Sequence, residues 1–474
     1  MHRGLPSRLL LSLFLSLAWI PCAAAALPRP LLGLWVDSFG PGLDSPAQIR
    51  ALVTSAHRLG INTLFAEVVR RGDRFCNLAS VPRSSDPYLA PGFDPLATLI
   101  ADAKPLHLKV VAWINLTPVA NVHLRAPQGA SQAFNAHGLA HLGAGNWLSY
   151  RADGVALSGG NYNLDPGNPS AERYMVQLVR SIAAHYQVAG VMLDHVRYPS
   201  ATRGRYNDWG YNAVALARFQ REAGFPGVPS PSNPSWLRWR QSQVTELLRS
   251  AALAVKEVRP SAWVSTATLA AGRAPADLAA FQNSPVLLGD LQDWPRWSAL
   301  GLSDFNVLMD YKRAHTGYRS WISFLRSSGL LAKTLIGSAL YLNAPSANRS
   351  QIQQALASGA LGWVGYSYRS PGGAGSTLAS DLSGLPASVL ADPAPLRILA
   401  GQVTRGGRPA GYLPVSLWQH GHRIALIHSD GNGSYAFFQV PRGPLQVVVG
   451  TVTLSASAQS GRVTQLPSVQ LSGN

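Results

Sequence analysis

The chain has 474 residues and a formal net charge of +17, with 40 Lys and Arg against 23 Asp and Glu. Such a length is too great for one compact core unless that core is a barrel with a smaller domain attached, so we expect two domains. The cations are scattered singly and form no basic run, which argues against nucleic-acid binding.

Arginine supplies almost all of the excess positive charge. Because its planar guanidinium suits planar anions, the excess favours an anionic polysaccharide of the cell envelope as partner. A genome rich in G and C would produce the same excess without any function, since it encodes arginine in place of lysine. Net charge leaves both interpretations open.

The first 26 residues have the pattern of a secretory signal peptide. Arg3 and Arg8 precede an apolar run over residues 9–19, and small residues follow at 23–26. The run is too short to span a bilayer, so we expect cleavage and a protein that is secreted, periplasmic or associated with the cell envelope, without stable membrane insertion. An uncleaved signal anchor is the alternative. Cleavage would leave Cys76 as the only thiol, which excludes an intramolecular disulfide and a cysteine metal site.

Residues 27–390 alternate between apolar stretches of strand length and patterns of helical period. Eight such pairs without hairpin signals predict an α/β fold, a (β/α)8 TIM barrel. A doubly wound open sheet is the alternative, but no Gly-rich phosphate turn follows the first strand. The predicted strands are residues 31–37, 61–69, 108–115, 188–194, 262–269, 305–311, 334–341 and 361–368.

A proline-rich linker at residues 391–395 separates this region from residues 396–474. There, short alternating segments are divided by glycine turns at regular spacing, which predicts a small antiparallel β-sandwich. The motif from Ser429 to Phe437 resembles the carboxypeptidase-regulatory-like sandwiches appended to many exported enzymes. That resemblance implies an accessory module.

Carboxyl groups and aromatic rings stand where the predicted strands end. Asp194 ends the fourth strand, Glu67 lies in the second and Asp310 in the sixth. Strand ends of a TIM barrel carry the catalytic groups, and a pair of carboxyls among aromatic rings suits glycoside hydrolysis. Each carboxyl could instead cap a helix or pair with an arginine, such as Asp194 with Arg197 and Glu67 with Arg70 or Arg71. The expected substrate-binding residues are Trp35, Asp37, Trp113, Asn115, Arg197, Tyr198, Tyr311 and Tyr341.

Motifs over residues 31–385 resemble the glycosyl-hydrolase-like family 10, which comprises bacterial envelope proteins. The similar segments are Trp35-Val36-Asp37, Arg71-Gly72-Asp73, Phe93-Asp94-Pro95-Leu96, Ala112-Trp113-Ile114-Asn115, residues 163–169, residues 190–199, Gln292-Asp293-Trp294 and Met309-Asp310-Tyr311. The resemblance implies a TIM-barrel glycosidase, with members that cleave peptidoglycan glycan strands lacking stem peptides. The chain departs from the family pattern with Glu67 and Val69, where Gln and Arg are expected, and with Asp310 in place of Asn.

We therefore expect an exported glycoside hydrolase that uses paired carboxyl groups. Asp194 would attack the anomeric carbon or orient water, Asp310 would protonate the leaving oxygen, and Glu67 is the substitute acid. The competing hypothesis is a barrel that binds glycan or acts as a scaffold without catalysis, which the departures at Glu67 and Val69 favour.

No metal or other cofactor is expected. The chain contains no HExxH motif, and only His420-Gly421-His422 has the HxH spacing. A polysaccharide deacetylase would need a metal-binding set of Asp and His that the sequence does not provide.

Overall fold

The computed structural model describes residues 30–124, 129, 131–313, 315–371, 377–383 and 395–472. Eight parallel strands close into a barrel, so the predicted TIM barrel is confirmed. The predicted signal peptide at residues 1–26 and residues 391–394 of the predicted linker lie outside the described residues. The barrel strands, numbered here from first to eighth, are Leu31–Val36, Thr63–Val69, Lys109–Asn115, Gly190–Asp194, Trp263–Leu269, Phe305–Met309, Thr334–Ala339 and Gly362–Tyr366.

The strands are buried on both faces, as their continuous apolar runs require. Side chains that face the barrel interior form one cluster, with Trp35, Phe65, Trp113 and Met192 among its members. This filling leaves little room: a Cβ atom at Gly33 would lie 2.8 Å from the ring of Phe65. The outward side chains pack against the surrounding helices in a larger cluster.

Helices surround the barrel, and several begin with a polar cap followed by proline. Ser45, Asp94, Asn168 and Asn233 each accept a hydrogen bond from a backbone N–H of the first turn. The described helices are Pro46–Arg58, Pro95–Ala103, Ala133–His137, Pro169–His185, Ala213–Ala223, Pro234–Val258, Leu278–Phe281, Pro285–Gly289, Trp294–Ala299, His315–Ser327, Pro345–Ala357 and Leu378–Asp381.

A long excursion between the third and fourth strands lies over the carboxyl ends of the barrel strands. It contains a small antiparallel sheet of Pro118–Asn121, Leu157–Ser158 and Asn161–Asn163. The next long loop, after the fourth strand, is held by the buried Arg240, which donates hydrogen bonds to the carbonyl oxygens of Asn207 and Pro231. These connections build walls above the barrel.

The C-terminal region forms two sheets that share one apolar core. The four-stranded sheet is antiparallel, as predicted. In the other sheet, strand Arg397–Arg405 also makes two parallel pairings, which the prediction of a purely antiparallel sandwich missed. The strands are Arg397–Arg405, Arg408–Pro409, Pro414–Gln419, His422–His428, Ser434–Phe437, Leu445–Val449, Val452–Ala456, Arg462–Gln465 and Val469–Leu471.

This second region packs against the outer flank of the barrel. Arg249 donates to the carbonyl oxygen of Ala436 at 2.9 Å, and the hydroxyl of Ser250 donates to Asp430 at 2.7 Å. The flank of the barrel therefore covers apolar side chains of this region, at a distance from the carboxyl ends of the barrel strands. Over the residues that the structure describes, no helix is both long enough and apolar enough to cross a membrane.

Candidate active site

A cavity of about 220 Å³ opens at the carboxyl ends of the barrel strands. A larger cavity, of about 1010 Å³, lies at the opposite end of the barrel, but its lining contains no carboxylate. Because TIM-barrel enzymes place catalytic groups at the carboxyl ends, the smaller cavity is the candidate active site. Its lining residues are Trp35, Phe39, Glu67, Arg70, Arg71, Trp113, Asn115, Pro118, Asn161, Asp194, His195, Arg197, Met309, Tyr311 and Tyr366.

Asp194 is the last residue of the fourth strand and is almost fully buried. Its Oδ1 accepts hydrogen bonds from the backbone N–H of His195 at 2.6 Å and from Arg197 Nη1 at 3.3 Å. His195 has a φ of 52°, a left-handed conformation that is uncommon for a residue with a side chain. Among the described residues, no hydrogen bond to Asp194 uses Oδ2. That oxygen is therefore available to a substrate or a water molecule.

The neighbouring imidazole is not a proton donor at neutral pH. Burial, together with the positive charge of Arg197, lowers the pKa of His195 to about 4. The ring is therefore neutral above that pH.

Glu67 lies near the end of the second strand and is fully buried. Its Oε2 accepts hydrogen bonds from the N–H and the hydroxyl of Ser38, at 2.8 and 2.6 Å. Burial raises the pKa of Glu67 to about 7, against the opposing effect of the Ser38 hydrogen bonds. A carboxyl group that is about half protonated at neutral pH has the property needed in a general acid.

Asn115 connects the two carboxyl groups structurally. It lies beside Asp194 in the strand register, and its Nδ2 donates to Glu67 Oε1 at 2.8 Å. Its Oδ1 accepts from the indole N–H of Trp113 at 2.9 Å, which fixes the orientation of the amide. The third strand thus holds Glu67 and Asp194 around the same cavity.

Aromatic rings form the floor of the cavity. The ring centroid of Trp35 lies 5.1 Å from that of Trp113 and 5.4 Å from that of Tyr366, and Tyr311 lies 5.7 Å from Tyr366. The indole N–H of Trp35 and the hydroxyl of Tyr311 are buried and have no hydrogen-bond partner among the residues that the structure describes. Flat apolar faces with a few unpaired donors match the alternating apolar faces and hydroxyls of a sugar ring.

Asp310, the predicted acid, does not line the cavity. Its neighbours Met309 and Tyr311 line the cavity, and Asp310 itself lies on the side of Tyr318 and Lys312. Asp310 directly follows the strand, between two residues that line the cavity, and adjacent side chains of an extended chain point to opposite sides. Both carboxyl oxygens are buried without a hydrogen-bond partner, and burial raises the pKa of Asp310 well above its usual value.

Of the predicted substrate-binding residues, Trp35, Trp113, Asn115, Arg197 and Tyr311 line the cavity. The structure holds two others away from it. The carboxylate of Asp37 accepts a hydrogen bond from Ser367 Oγ at 2.8 Å and pairs with Arg369, and the buried hydroxyl of Tyr198 donates to Asp165 at 3.0 Å.

The remaining predicted residue, Tyr341, lies at the rim. It is 48% exposed, with its ring centroid 6.3 Å from that of Tyr366. It can reach a substrate only outside the cavity.

The polar residues of this site that sequence reasoning did not assign to it include Ser38, Arg70, Arg71, Asn161 and His195. Arg70 and Arg71 directly follow the second strand, and residues at the carboxyl end of a barrel strand are the expected site residues. An ion pair with one of them was the alternative to a catalytic role for Glu67, but Arg70 pairs with Asp86 at 3.2 Å. Asn161 comes from the small sheet of the excursion, and no local pattern in the sequence places it there. Within the part of the chain that the structure describes, no three His, Cys, Asp or Glu side chains could together hold a metal ion.

We expect Asp310→Asn to retain the glycosidase activity predicted from the sequence, with kcat/KM within about threefold of the unsubstituted protein, because this side chain does not line the cavity. Burial favours the neutral form of this carboxyl, and an amide of the same shape replaces it. Kinetics on glycan substrate measure this. A loss comparable to that of a Glu67 or Asp194 variant would restore Asp310 as the acid.

Comparison with known proteins places the chain in a family. Residues 30–323 match the model of the family described as glycosyl hydrolase-like 10. The glycosyl hydrolase DigH of Escherichia coli (strain K12) is 24% identical over 262 residues, which cover 51% of this chain and 55% of DigH. The glycosyl hydrolase YngK of Bacillus subtilis (strain 168) is 22% identical over 215 residues, which cover 44% of this chain and 37% of YngK. The chain thus spans about half or less of the length of these relatives.

Among solved structures, the alpha-L-fucosidase isoenzyme 2 from Paenibacillus thiaminolyticus matches with a TM-score of 0.50 at 14% identity. The match covers 74% of this chain and 48% of the fucosidase chain. At this identity the likeness shows a shared fold. Since the family model covers more than half of the chain and includes the strand ends that carry Glu67 and Asp194, the chain belongs to the glycosyl hydrolase-like 10 family.

Proposed function

We propose that this protein hydrolyses glycosidic bonds of a cell-envelope polysaccharide, and specifically of peptidoglycan glycan strands that lack stem peptides. One observation carries the proposal. Two buried carboxyl groups, Glu67 and Asp194, face one cavity with an aromatic floor at the carboxyl ends of the barrel strands. Glycoside hydrolysis needs such a pair, one group as acid and the other as nucleophile or base.

The environments of the two groups assign their roles. Glu67, with its raised pKa, donates a proton to the glycosidic oxygen as the bond to the leaving sugar breaks. Asp194 is ion-paired with Arg197 through Oδ1, and its Oδ2 attacks the anomeric carbon or takes a proton from the attacking water. Asn115 and Ser38 hold Glu67 in place, and neither reacts.

Several features support an envelope glycan as substrate. The first 26 residues have a signal-peptide pattern, and the chain carries a formal net charge of +17. Three arginines, Arg70, Arg71 and Arg197, line the cavity beside the two carboxyl groups. A positively charged cavity favours an anionic polymer by long-range attraction.

The test is product analysis on purified glycan strands from which stem peptides have been removed. We expect new reducing ends and shorter oligosaccharides by mass spectrometry, and less product from strands that still carry peptides. Incubation with the Asp194→Asn protein is the control. Binding of the strands without any turnover would instead support the competing hypothesis of a non-catalytic glycan-binding barrel.

The activity should also fall as pH rises through 7. Glu67 must be protonated to act as the acid, and its pKa is about 7. We therefore expect kcat/KM to lose about tenfold per pH unit above that value, as for one essential acid in the free enzyme. Initial rates between pH 5 and pH 9 at constant ionic strength measure this. A rate that instead increases through pH 7 would make Glu67 a base and reverse the two roles.

A further inference from the structure

We propose that a second cavity beside the catalytic cavity binds the carboxylate of a sugar acid in the substrate. Arg71 is the residue that recognises this carboxylate. The inference rests on the proposed glycosidase function and gives its substrate a chemical class. It adds a binding site next to the bond that is cleaved.

Arg71 stands at the junction of two cavities. It lines the catalytic cavity, and it also lines a second cavity of about 180 Å³ together with Tyr88, Asn121 and Gln132. Tyr88 is 78% exposed, so an aromatic ring is open to solvent at the edge of this second cavity. A chain of sugars that passes from one cavity to the other would run past the guanidinium of Arg71.

A hydrogen bond holds Nε of the Arg71 guanidinium, whereas its two Nη atoms have no hydrogen-bond partner among the described residues. Its Nε donates to Asn161 Oδ1 at 2.9 Å, and the ring centroid of Phe39 lies 4.8 Å from its central carbon. Nη1 is buried without a hydrogen-bond partner, and no hydrogen bond among the described residues involves Nη2. The two Nη atoms together form the edge that binds a carboxylate through two parallel hydrogen bonds.

Other arginines at this end of the barrel already have carboxylate partners. Arg70 pairs with Asp86, Arg197 with Asp194, and Arg369 with Asp37. No ion pair in the described part of the chain involves Arg71. A cation that is largely removed from water without an anion is costly, and a bound carboxylate would offset that cost.

The charges around Arg71 are compatible with an incoming anion. Asp73 and Glu67 are the nearby acidic groups, and Arg70 is the nearby cation. Glu67 is about half neutral at pH 7, and Arg70 and Asp86 cancel as a pair. Asp73 accepts a hydrogen bond from the backbone N–H of Arg71 at 3.1 Å, so Asp73 and the ionised fraction of Glu67 are the negative charges near Arg71 that would repel the substrate.

Binding measurements test the proposal without relying on turnover. The ligands are peptide-free peptidoglycan oligosaccharides, whose muramic acid residues carry lactyl carboxylates, and the same oligosaccharides with those groups reduced to alcohols. An oligoglucuronate, in which the carboxylate is on the ring, distinguishes the two sources of sugar carboxylate. Isothermal titration is made with the full-length chain, Arg71→Gln, Arg71→Lys and, as a control for lost charge, Arg50→Gln on the exposed side of helix Pro46–Arg58.

We expect a carboxylated ligand, lactyl or ring, to bind about tenfold to a hundredfold more tightly than its reduced form, the range of one charged hydrogen-bonded contact. Arg71→Gln should remove this preference, Arg71→Lys should keep part of it, and Arg50→Gln should keep all of it. Equal binding of both forms, absence of binding by every carboxylated ligand, or a preference that survives Arg71→Gln would overturn the proposal. A preference with no hydrolysis would contradict only the proposed glycosidase activity.

Discussion

Replacing Asp194 by asparagine is expected to lower kcat/KM for glycan hydrolysis by about 10³-fold or more, as removal of a group that acts on the reacting atoms does. The amide keeps the shape of the side chain, but it can neither attack the anomeric carbon nor accept a proton from water. The loss corresponds to about 4 kcal/mol of transition-state stabilisation. Reducing-end release from peptide-free glycan strands measures it.

The matched control for this variant is Asp310→Asn. It is the same chemical change at a buried aspartate that follows another barrel strand, on the side away from the cavity. Asp194→Asn leaves Arg197 without its partner, so circular dichroism and thermal unfolding must show a folded protein. A folded Asp194→Asn protein with undiminished activity would exclude Asp194 from the reaction.

Replacing Glu67 by glutamine is expected to lower activity on glycan strands by about 10² to 10⁴-fold, the usual contribution of a general acid. The effect should depend on the leaving group. An aryl glycoside with an acidic phenol departs without a proton, so its hydrolysis should change little, whereas a sugar leaving group needs the acid. The decline in kcat/KM above pH 7 should vanish in this variant, because the group that titrates there is gone.

Stability provides a second measurement for Glu67. The pKa is raised from 4.5 to about 7 in the folded protein, so the native state loses stability as pH rises between these values. The interval corresponds to about 3 kcal/mol, at about 1.4 kcal/mol per pKa unit. Glu67→Gln should therefore lose less stability from pH 5 to pH 8 than the unsubstituted protein in chemical unfolding. Glu257→Gln, at the last turn of the long helix Pro234–Val258, is the control. Equal losses in all three proteins would show that Glu67 does not titrate in this range.

The spacing of apolar segments was enough to predict the barrel. Each strand is a continuous apolar run because both of its faces are covered, and this pattern is visible along the chain without tertiary information. The ends of these apolar runs also showed that Glu67, Asp194, Trp113 and Asn115 lie near strand ends. The starts of several helices also follow from the local sequence, because each is marked by a polar capping residue before a proline.

The acid of the pair could not be chosen from the sequence, because Asp310 and Glu67 both stand near strand ends. Which side chain enters the cavity depends on the phase of each strand in the closed barrel, and a shift by one residue reverses the direction. In the structure Met309 and Tyr311 line the cavity, and Asp310 between them does not. The pKa of Glu67 likewise depends on burial that only the assembled barrel produces.

The sequence by itself determined the barrel, the all-β region after it and the strand-end position of Asp194, because these follow from local apolar patterns and from the common direction of parallel strands. Tertiary structure alone decided which carboxyl group accompanies Asp194, that Asp37 and Tyr198 are held away from the cavity, and that Nη1 of Arg71, between two cavities, has no hydrogen-bond partner in the described part of the chain. These outcomes depend on contacts between residues far apart in the chain. Asn161, which orients Arg71, is 90 residues away from it, and no local pattern can specify such a contact.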